Sequence, residues 1–192
     1  MYFLILINLL FMTNESSIEY AYFGGGCFWC IEASFDDLKG VSKVTSGYAG
    51  GSEHNANYKT VSSGTTKHAE ICEIKYNPTK ISYKTLLQVF FLAHDPTTLN
   101  KQGNDIGPQY RSIIFYSKNN EKEKVLSYIS QLEEQNIYNQ IVTELQPLIK
   151  FYPAEQYHQD YFKLNSSQPY CAIVIEPKIQ KLKKELKKYY KK

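Results

Sequence analysis

Three consecutive glycines at positions 24–26 separate a strand-like segment from a helix-like segment. Residues 18–23 (IEYAYF) have the aromatic and β-branched content of a strand, whereas residues 27–38 place apolar side chains three and four positions apart, as a helix requires. Because glycine has no Cβ, such a run lets the chain turn sharply and bring its backbone close to another group. The sequence therefore predicts a strand that turns abruptly into a helix, with Cys27 in the first helical turn.

The rest of the chain continues to alternate between strand-like and helix-like segments. Ser82 is a typical N-cap, and the helix after it carries an apolar stripe that runs up to His94. Strand–helix–strand, repeated twice, is the order of a split βαβ unit. We therefore predict an α+β fold, a two-layer sandwich with a split βαβ (ferredoxin-like) core and extended loops. The other predicted strands are residues 41–48, 69–76, 111–116, 141–145 and 170–175, the later helices are 120–135 and 155–162, and the long loops are 49–67 and 95–109.

An apolar run of eleven residues, 2–12, precedes this region. It is too short to span a membrane and has the length of a secretory signal, although no positive residue precedes it. Alternatively, Met12 is the true start. We divide the 192 residues into an N-terminal apolar extension (1–17), signal-like or a misassigned start, one main domain (18–176) and a lysine-rich C-terminal helix (177–192). We expect a cytoplasmic protein, with secretion or anchoring through residues 2–12 as the alternative.

Positive charge is concentrated at the C-terminus. Residues 178–192 hold eight lysines and one glutamate, a net charge of +7, which leaves −4 for the rest of the chain because the whole carries +3. A nucleic-acid-binding protein normally spreads basic residues over a folded face, so we expect no nucleic-acid partner. Ile179, Leu182, Leu186 and Tyr190 recur at helical spacing and predict a helix docked by its apolar edge. Binding of this helix to a membrane surface or an acidic partner is a less favoured alternative.

The four cysteines, Cys27, Cys30, Cys72 and Cys171, form one CxxC pair and two singletons. At the start of a helix, unpaired N–H groups and the dipole favour a thiolate, so Cys27 is a candidate nucleophile. Phe28 and Trp29 can wall an apolar pocket beside it. The pair alone also fits a general thiol–disulfide oxidoreductase using Cys27 and Cys30. Structural zinc would need two further ligands at suitable spacing, so we expect no metal. Cys72, in the middle of a strand, is predicted to be buried and inert.

Glu70 stands near the start of a predicted strand, on the same face as Cys72, Ile74 and Tyr76. The opposite face, with Ile71, Glu73 and Lys75, is expected to be the wetter one. A carboxyl group on the apolar side resists ionisation and can keep a proton near neutral pH. The alternative is that Glu70 meets water at the end of the strand.

Several motifs, taken together, resemble the peptide methionine sulfoxide reductase A family in order and approximate spacing. The resemblance covers about residues 20–176, and the CFW and GND…QYR strings are its most specific parts. The motifs are GGGCFWC, SGYAGG at 46–51, NANY at 55–58, HAE at 68–70, HDPTT at 94–98, GNDIGPQYR at 103–111 and YHQDYF at 157–162.

The resemblance implies a role for each matching residue. Cys27 would attack the sulfoxide sulfur and Glu70 would protonate the departing oxygen, which Tyr58 and Tyr110 would hydrogen-bond. Phe28 and Trp29 would hold the substrate methyl group, and Asp105 would support the polar network. Free or protein-bound methionine-S-sulfoxide would become methionine, leaving a sulfenic acid on Cys27. Residues 18–176 would then be a catalytic reductase domain.

The resemblance also implies recycling without a cofactor. A second thiol would condense with the sulfenic acid, and thioredoxin, or dithiothreitol, would reduce the resulting disulfide. Many family members have glycine where this chain has Cys30, and many carry recycling cysteines in a glycine-rich tail. Here that region is the apolar run PYCAIVI at 169–175. We favour Cys30 as the resolving thiol because it is close to Cys27, with Cys171 as the alternative, and we expect a monomer.

Overall fold

A six-stranded sheet packed against helices forms an α+β fold, as predicted. The computed structural model describes residues 18–191, and the predicted extension at 1–17 lies outside them. The strands are β1 (Glu19–Gly24), β2 (Val41–Ala49), β3 (Ala69–Tyr76), β4 (Lys101–Gln102), β5 (Asp105–Ile106), β6 (Ile113–Tyr116), β7 (Glu144–Pro147) and β8 (Phe151–Pro153). The α-helices are α1 (Phe28–Asp36), α2 (Tyr58–Ser62), α3 (Tyr83–Ala93), α4 (Asn119–Glu134), α5 (Tyr161–Leu164) and α6 (Glu176–Glu185).

The order of strands in the main sheet is β7-β6-β1-β3-β2-β8, and β4 and β5 form a separate two-stranded ribbon. The strand β3 lies between β1 and β2 and is antiparallel to both. The helix α1 connects β1 to β2, and α3 connects β3 toward β6. In this register Phe23, next to the end of β1, lies opposite Cys72 of β3. The start of α1 is therefore next to the start of β3, where Glu70 lies.

The main core lies on the face of the sheet that α1 covers, with α3 packed against α1 and α6 packed against both helices. Its largest buried side chains come from the helices and from alternate positions of the strands, and include Phe23, Phe28, Ile31, Phe35, Ile74, Tyr76, Leu86 and Phe90. A smaller cluster of Ala49, Ala69, Ile71, Ile113 and Phe115 lies apart from this core. We expected the face of β3 that carries Ile71 to be the more solvent-exposed one. This expectation is wrong at Ile71, whose side chain is fully buried.

Helix caps explain where two of the helices begin. The predicted N-cap of α3 is confirmed, since the Ser82 hydroxyl accepts a hydrogen bond from the backbone N–H of Thr85 at 3.1 Å. At the start of α4, the buried Glu121 carboxylate accepts hydrogen bonds from two consecutive backbone groups, the N–H of Ser117 at 2.7 Å and that of Lys118 at 3.1 Å. Both caps satisfy N–H groups that have no partner within the helix.

The prediction of a strand at residues 170–175 is wrong. Cys171–Ile175 forms a π-helical turn that leads directly into α6. The apolar, β-branched run fits a strand by composition, but Cys171, Ile175, Ile179 and Leu182 lie on one helical face and are all buried, whereas Ile173 is 74% exposed. Tertiary packing of that face overrides the local preference.

The predicted docking of the C-terminal helix by its apolar edge is confirmed. Ile179, Leu182, Leu186 and Tyr190 are all buried. The Tyr190 hydroxyl donates to the carbonyl oxygen of Ser34 at 2.8 Å, and nearby lysines remain on the outer side. Within residues 18–191, no helix is long and apolar enough to cross a membrane.

Three other segments differ in detail from the prediction. The expected helix at 155–162 consists of a 3-10 turn at Gln156–His158 and the short α5. The loop at 49–67 contains a 3-10 turn at Glu53–Asn55 and the helix α2. The strand near 141–145 begins later, as β7, and β8 was not anticipated. These short elements have too few residues to show a hydrophobic period.

Replacement of Leu182 by alanine should lower the free energy of unfolding by about 2–5 kcal/mol, because it leaves a cavity under α6 where Leu182 is buried. The matched control is Leu126→Ala on α4, where the leucine is 51% exposed and the change should cost less than about 0.5 kcal/mol. Urea titration of both variants measures the difference. Equal, small effects would contradict the docking of α6.

Candidate active site

Cys27 is the N-cap residue of α1, directly after the glycine turn. A Cβ on Gly24 would lie 2.7 Å from the carbonyl oxygen of Glu70, so glycine is needed for β1 to end this close to β3. Gly26 has a φ of +94°, a conformation that other residues rarely adopt. The turn thus fixes the Cys27 sulfur beside the first residues of β3.

One cavity of about 120 Å³ brings together all the predicted catalytic and substrate-binding residues. The predicted resolving cysteine, Cys30, lies outside it but lines an adjoining cleft of about 470 Å³, and Cys27 borders both spaces. The lining residues of the smaller cavity are Cys27, Phe28, Trp29, Tyr58, Glu70, Asp105, Tyr110 and Tyr170.

The Glu70 side chain is 1% exposed, so the alternative that it meets water at the end of the strand is wrong. Its Oε2 atom accepts a hydrogen bond from the backbone N–H of Phe28 at 3.1 Å. Burial, and to a lesser degree the charges of Asp105 and Cys30, raise the pKa of Glu70 to about 8. The predicted resistance to ionisation is confirmed, and at neutral pH this carboxyl group carries a proton.

The two cysteines of the CxxC pair have unequal proton affinities. Burial raises the pKa of the Cys27 thiol, which donates a hydrogen bond to Cys30. That hydrogen bond, assisted by the positive charge of Lys178, lowers the pKa of Cys30 to about 7 against the effect of burial. The thiolate expected at Cys27 stays a prediction: burial opposes the charged form, whereas the backbone N–H of Trp29 at the helix start favours it.

Two phenols complete the polar side of the cavity. The backbone N–H of Tyr58 donates to Glu155 at 2.9 Å, which fixes the start of α2. Tyr110 ends a 3-10 turn, and the Arg111 guanidinium holds that turn by donating to the carbonyl oxygen of Pro108 at 2.8 Å. Burial raises the pKa of both tyrosines, so both hydroxyls keep their protons and can donate hydrogen bonds.

Tyr170 is a cavity residue that the sequence analysis missed. Its hydroxyl donates to Asp105 Oδ2 at 2.8 Å and lies 3.7 Å from the Cys30 sulfur. Tyr170 therefore separates the smaller cavity from the Cys30 cleft, since it lines both. The available signal was an aromatic residue directly before Cys171, in a segment that was interpreted as a strand.

The indole of Trp29 is held by residues of the YHQDYF motif, to which no individual roles were given. Its Nε1–H donates to His158 Nδ1 at 3.2 Å. The Tyr161 ring stacks on it, with 3.7 Å between ring centroids and 6° between planes. His158 also packs against Phe28 and Tyr58. The segment at 158–161 thus forms the back of the apolar wall.

The remaining cysteines lie away from the smaller cavity. Cys72 is buried, as predicted, and its thiol donates to the carbonyl oxygen of Phe28 at 3.3 Å. Cys171 is also fully buried, and all four cysteines are free thiols. In the part of the chain from 18 to 191, no three His, Cys, Asp or Glu side chains are grouped so that they could hold a metal ion.

Comparisons with known proteins agree with this geometry. A sequence profile described as "Peptide methionine sulfoxide reductase" matches residues 19–190. The chain is 52% identical over 171 residues to "Peptide methionine sulfoxide reductase MsrA" of Nautilia profundicola, which covers 88% of this chain and 98% of the relative.

Solved structures show the same fold. Reduced Mxr1 from Saccharomyces cerevisiae is similar with a TM-score of 0.75 and 32% identity, over 82% of this chain and 91% of that one. Mxr1 in complex with Trx2 is similar with a TM-score of 0.54 and 23% identity, over 76% of this chain and 86% of that one, which shows the fold alone. The profile match spans nearly all the described residues, and the chain belongs to the peptide methionine sulfoxide reductase family.

Proposed function

We propose that the protein reduces methionine-S-sulfoxide, free or in proteins, to methionine by thiol chemistry at Cys27. The observation that carries this proposal is that the Cys27 thiol and a protonated Glu70 line one cavity of about 120 Å³. A sulfoxide oxygen is a poor leaving group unless it is protonated, so nucleophile and acid must converge on it. The family relationship supports the same reaction.

The two sides of the cavity match the two ends of a sulfoxide. The rings of Phe28 and Trp29 provide an apolar surface for the methyl group. The hydroxyls of Tyr58 and Tyr110 provide donors for the oxygen, and Asp105 orients Tyr170 beside them. Bound in this way, the sulfoxide sulfur faces Cys27 and its oxygen faces Glu70.

The first chemical step transfers oxygen to the enzyme. The Cys27 sulfur attacks the sulfoxide sulfur, which forms an S–S bond, while Glu70 gives its proton to the oxygen. The hydroxyl group then moves from the substrate sulfur to the Cys27 sulfur as the S–S bond and the old S–O bond break, so that methionine leaves and Cys27 holds the oxygen as a sulfenic acid. The proton lost by the Cys27 thiol returns the carboxylate of Glu70 to its acid form. One thiol and one sulfoxide thus give one sulfenic acid and one sulfide, with no net proton released.

The second step forms a disulfide and releases water. Cys30 is suited to attack the sulfenic sulfur, because it lies one turn along α1 and the positive charge of Lys178 favours its thiolate form. Cys171 is the alternative, although its thiol is fully buried and burial raises its pKa. Thioredoxin, or dithiothreitol in the test tube, would then reduce the disulfide. The complex of Mxr1 with Trx2 supports thioredoxin as the partner.

The finer structural and cellular expectations belong to the same proposal. The order β6-β1-β3-β2, with α1 joining β1 to β2 around the inserted β3, supports a ferredoxin-like split βαβ core. Five further expectations remain predictions. They are a catalytic domain over 18–176 with a C-terminal helix at 177–192, a monomeric state, a cytoplasmic location, the absence of a cofactor and the absence of stable membrane binding.

Replacement of Cys27 by serine should abolish the reduction of methionine-S-sulfoxide by dithiothreitol, because no other thiol lines the small cavity. Cys72→Ser is the matched control and should keep full activity, since Cys72 takes no part. The assay follows methionine by chromatography, with the R epimer as a stereochemical control. Reduction of insulin by the wild-type protein, without reduction of the sulfoxide, would instead favour a general thiol–disulfide oxidoreductase.

Glu70→Gln should lower the single-turnover rate by about 10²–10⁴-fold, because glutamine fits the site but cannot give up a proton. The acid form of Glu70 is present below its pKa of about 8, so the wild-type rate should fall as pH rises through about 8. The variant should lose this alkaline limb. Rapid-quench measurement of methionine between pH 6 and 10 gives both results. A wild-type rate that stays constant through pH 8 would remove Glu70 from the role of acid.

Cys30→Ser should still form one methionine per enzyme but lose turnover with thioredoxin, because the sulfenic acid of Cys27 then has no neighbouring thiol. Cys171→Ser is the matched control and should keep both. Dimedone labelling of Cys27, followed by mass spectrometry, should rise at least about tenfold in Cys30→Ser alone, since the intermediate is no longer consumed. The opposite pattern would make Cys171 the resolving residue.

A further inference from the structure

Glu32 is a buried carboxyl group in α1 that the reaction above does not use. It is 3% exposed, yet its two oxygens each accept a backbone hydrogen bond. Oε1 accepts from the N–H of Asp160 at 3.1 Å, and Oε2 accepts from the N–H of Tyr161 at 3.2 Å. Burial raises the pKa of Glu32 to about 7, while these two backbone donors favour its charged form, so the group is a carboxylate above that pH. These two contacts therefore tie the segment at 158–161 to the second turn of α1.

The backbone of this segment needs such a tie. Asp160 has a φ of +51°, in the left-handed region that residues other than glycine adopt at a cost. This conformation aims two successive N–H groups at one point, where the Glu32 carboxylate receives both. Without the carboxylate, both donors would lose their protein partner. The Gln159 side chain separately ties the segment to β2, because it donates to the carbonyl oxygen of Ser46 at 2.9 Å. We therefore expect the Asp160–Tyr161 end of the segment to lose its defined position when Glu32 is changed.

The same segment holds the indole of Trp29 on two sides. Tyr161 covers one face of the indole, and His158 accepts the hydrogen bond from its Nε1–H. Trp29 and Glu32 lie three residues apart on α1, and so are neighbours on one side of the helix. The segment thus contacts both side chains: its backbone binds Glu32, and its Tyr161 ring packs on Trp29.

Charged groups from three elements surround Glu32. Asp36 and Asp37 lie at the C-terminal end of α1. Asp160 and Lys163 lie at the start of α5 and within it, and Lys183 lies on α6. Together with Glu32, these residues line a space of about 60 Å³. Lys163 pairs with Asp36 and Asp160, and Lys183 pairs with Asp37. The lysines are thus engaged by the other carboxylates, so the backbone donors are the groups that orient Glu32.

We propose that Glu32 is a positioning residue for sulfoxide reduction: its carboxylate fixes the segment at 158–161, which fixes the plane of Trp29 as a wall of the substrate cavity. This inference rests on the function proposed above. It assigns Glu32 an effect on substrate binding and none on the chemistry of the Cys27 sulfur.

The test uses the single tryptophan of the chain, because all tryptophan emission comes from Trp29. Glu32→Gln keeps the shape of the side chain but places a donor where one of the two N–H groups needs an acceptor. We expect the emission maximum to move to longer wavelength, and the KM for methionine sulfoxide to rise about tenfold with kcat within about threefold. The rate of Cys27 alkylation by iodoacetamide should stay unchanged.

Glu121→Gln is the matched control. Glu121 is also a buried glutamate that accepts hydrogen bonds from two consecutive backbone N–H groups, but at the start of α4. It should lose comparable stability with no change in the emission or KM. Unchanged emission and KM in Glu32→Gln, or equal changes in both variants, would overturn the proposal.

A second variant serves if Glu32→Gln does not fold. Tyr161→Leu removes the ring stacked on Trp29 and keeps the backbone hydrogen bonds to Glu32, so it should give the same shift in emission and the same rise in KM. A variant with native emission and KM would contradict the proposal. The emission measurement needs no sulfoxide, so it remains decisive even if the wild-type protein fails to reduce the substrate.

Discussion

The hydrogen bond from the Phe28 N–H to Glu70 joins the first turn of α1 to the start of β3, and the chemistry of the site depends on it. It holds one oxygen of a buried carboxyl group against the helix, which leaves the other oxygen to carry a proton into the cavity. The next N–H of the helix start, that of Trp29, interacts with the Cys27 sulfur. The first turn of α1 therefore positions the acid through Phe28 and the sulfur through Trp29, so adjacent backbone N–H groups hold both reacting groups.

The two sulfurs of the CxxC pair differ because one helical turn separates two environments. Cys27 is at the N-cap, enclosed between the aromatic wall and Glu70. Cys30 faces the larger cleft, where the positive charge of Lys178 favours its charged form. The Cys27 sulfur lies beside a protonated carboxyl group, as oxygen transfer requires, and it attacks as its proton leaves. The Cys30 sulfur lies in the wider cleft, as the attack that follows requires, so the order of the two proposed steps agrees with this arrangement.

The parts of the fold that sequence reasoning predicted are those where local preference and packing agree. The glycine turn, the capped α3 and the apolar edge of α6 each combine a local signal with burial. Residues 170–175 were predicted incorrectly because a β-branched apolar run satisfies the composition of a strand as well as that of a buried helical face. Only the continuation of the stripe into Ile179 and Leu182 distinguishes the two.

The residues that line the cavity were predicted because their motifs are specific. The residues that hold these side chains in position were missed. Glu32 carries no local signal, and the one at Tyr170 is weak, since their partners lie 128 and 65 residues away, respectively. The raised pKa of Cys27 could not be read from the sequence either. It comes mainly from burial, which exists only once β3 and the other cavity residues lie beside α1.

Cys27 borders both the small cavity and the larger cleft. This position indicates from which side a reductant reaches the proposed disulfide. Residues three apart on a helix have Cβ atoms about 5–6 Å apart, so a Cys27–Cys30 disulfide needs some adjustment of the first turn. That adjustment would draw the Cys27 sulfur out of the small cavity and toward the cleft of about 470 Å³. The substrate side would then contain no reactive sulfur, and the disulfide would face the wider opening. A protein reductant could therefore approach from the Cys30 side, past Lys178, without entering the space that had held the methionine.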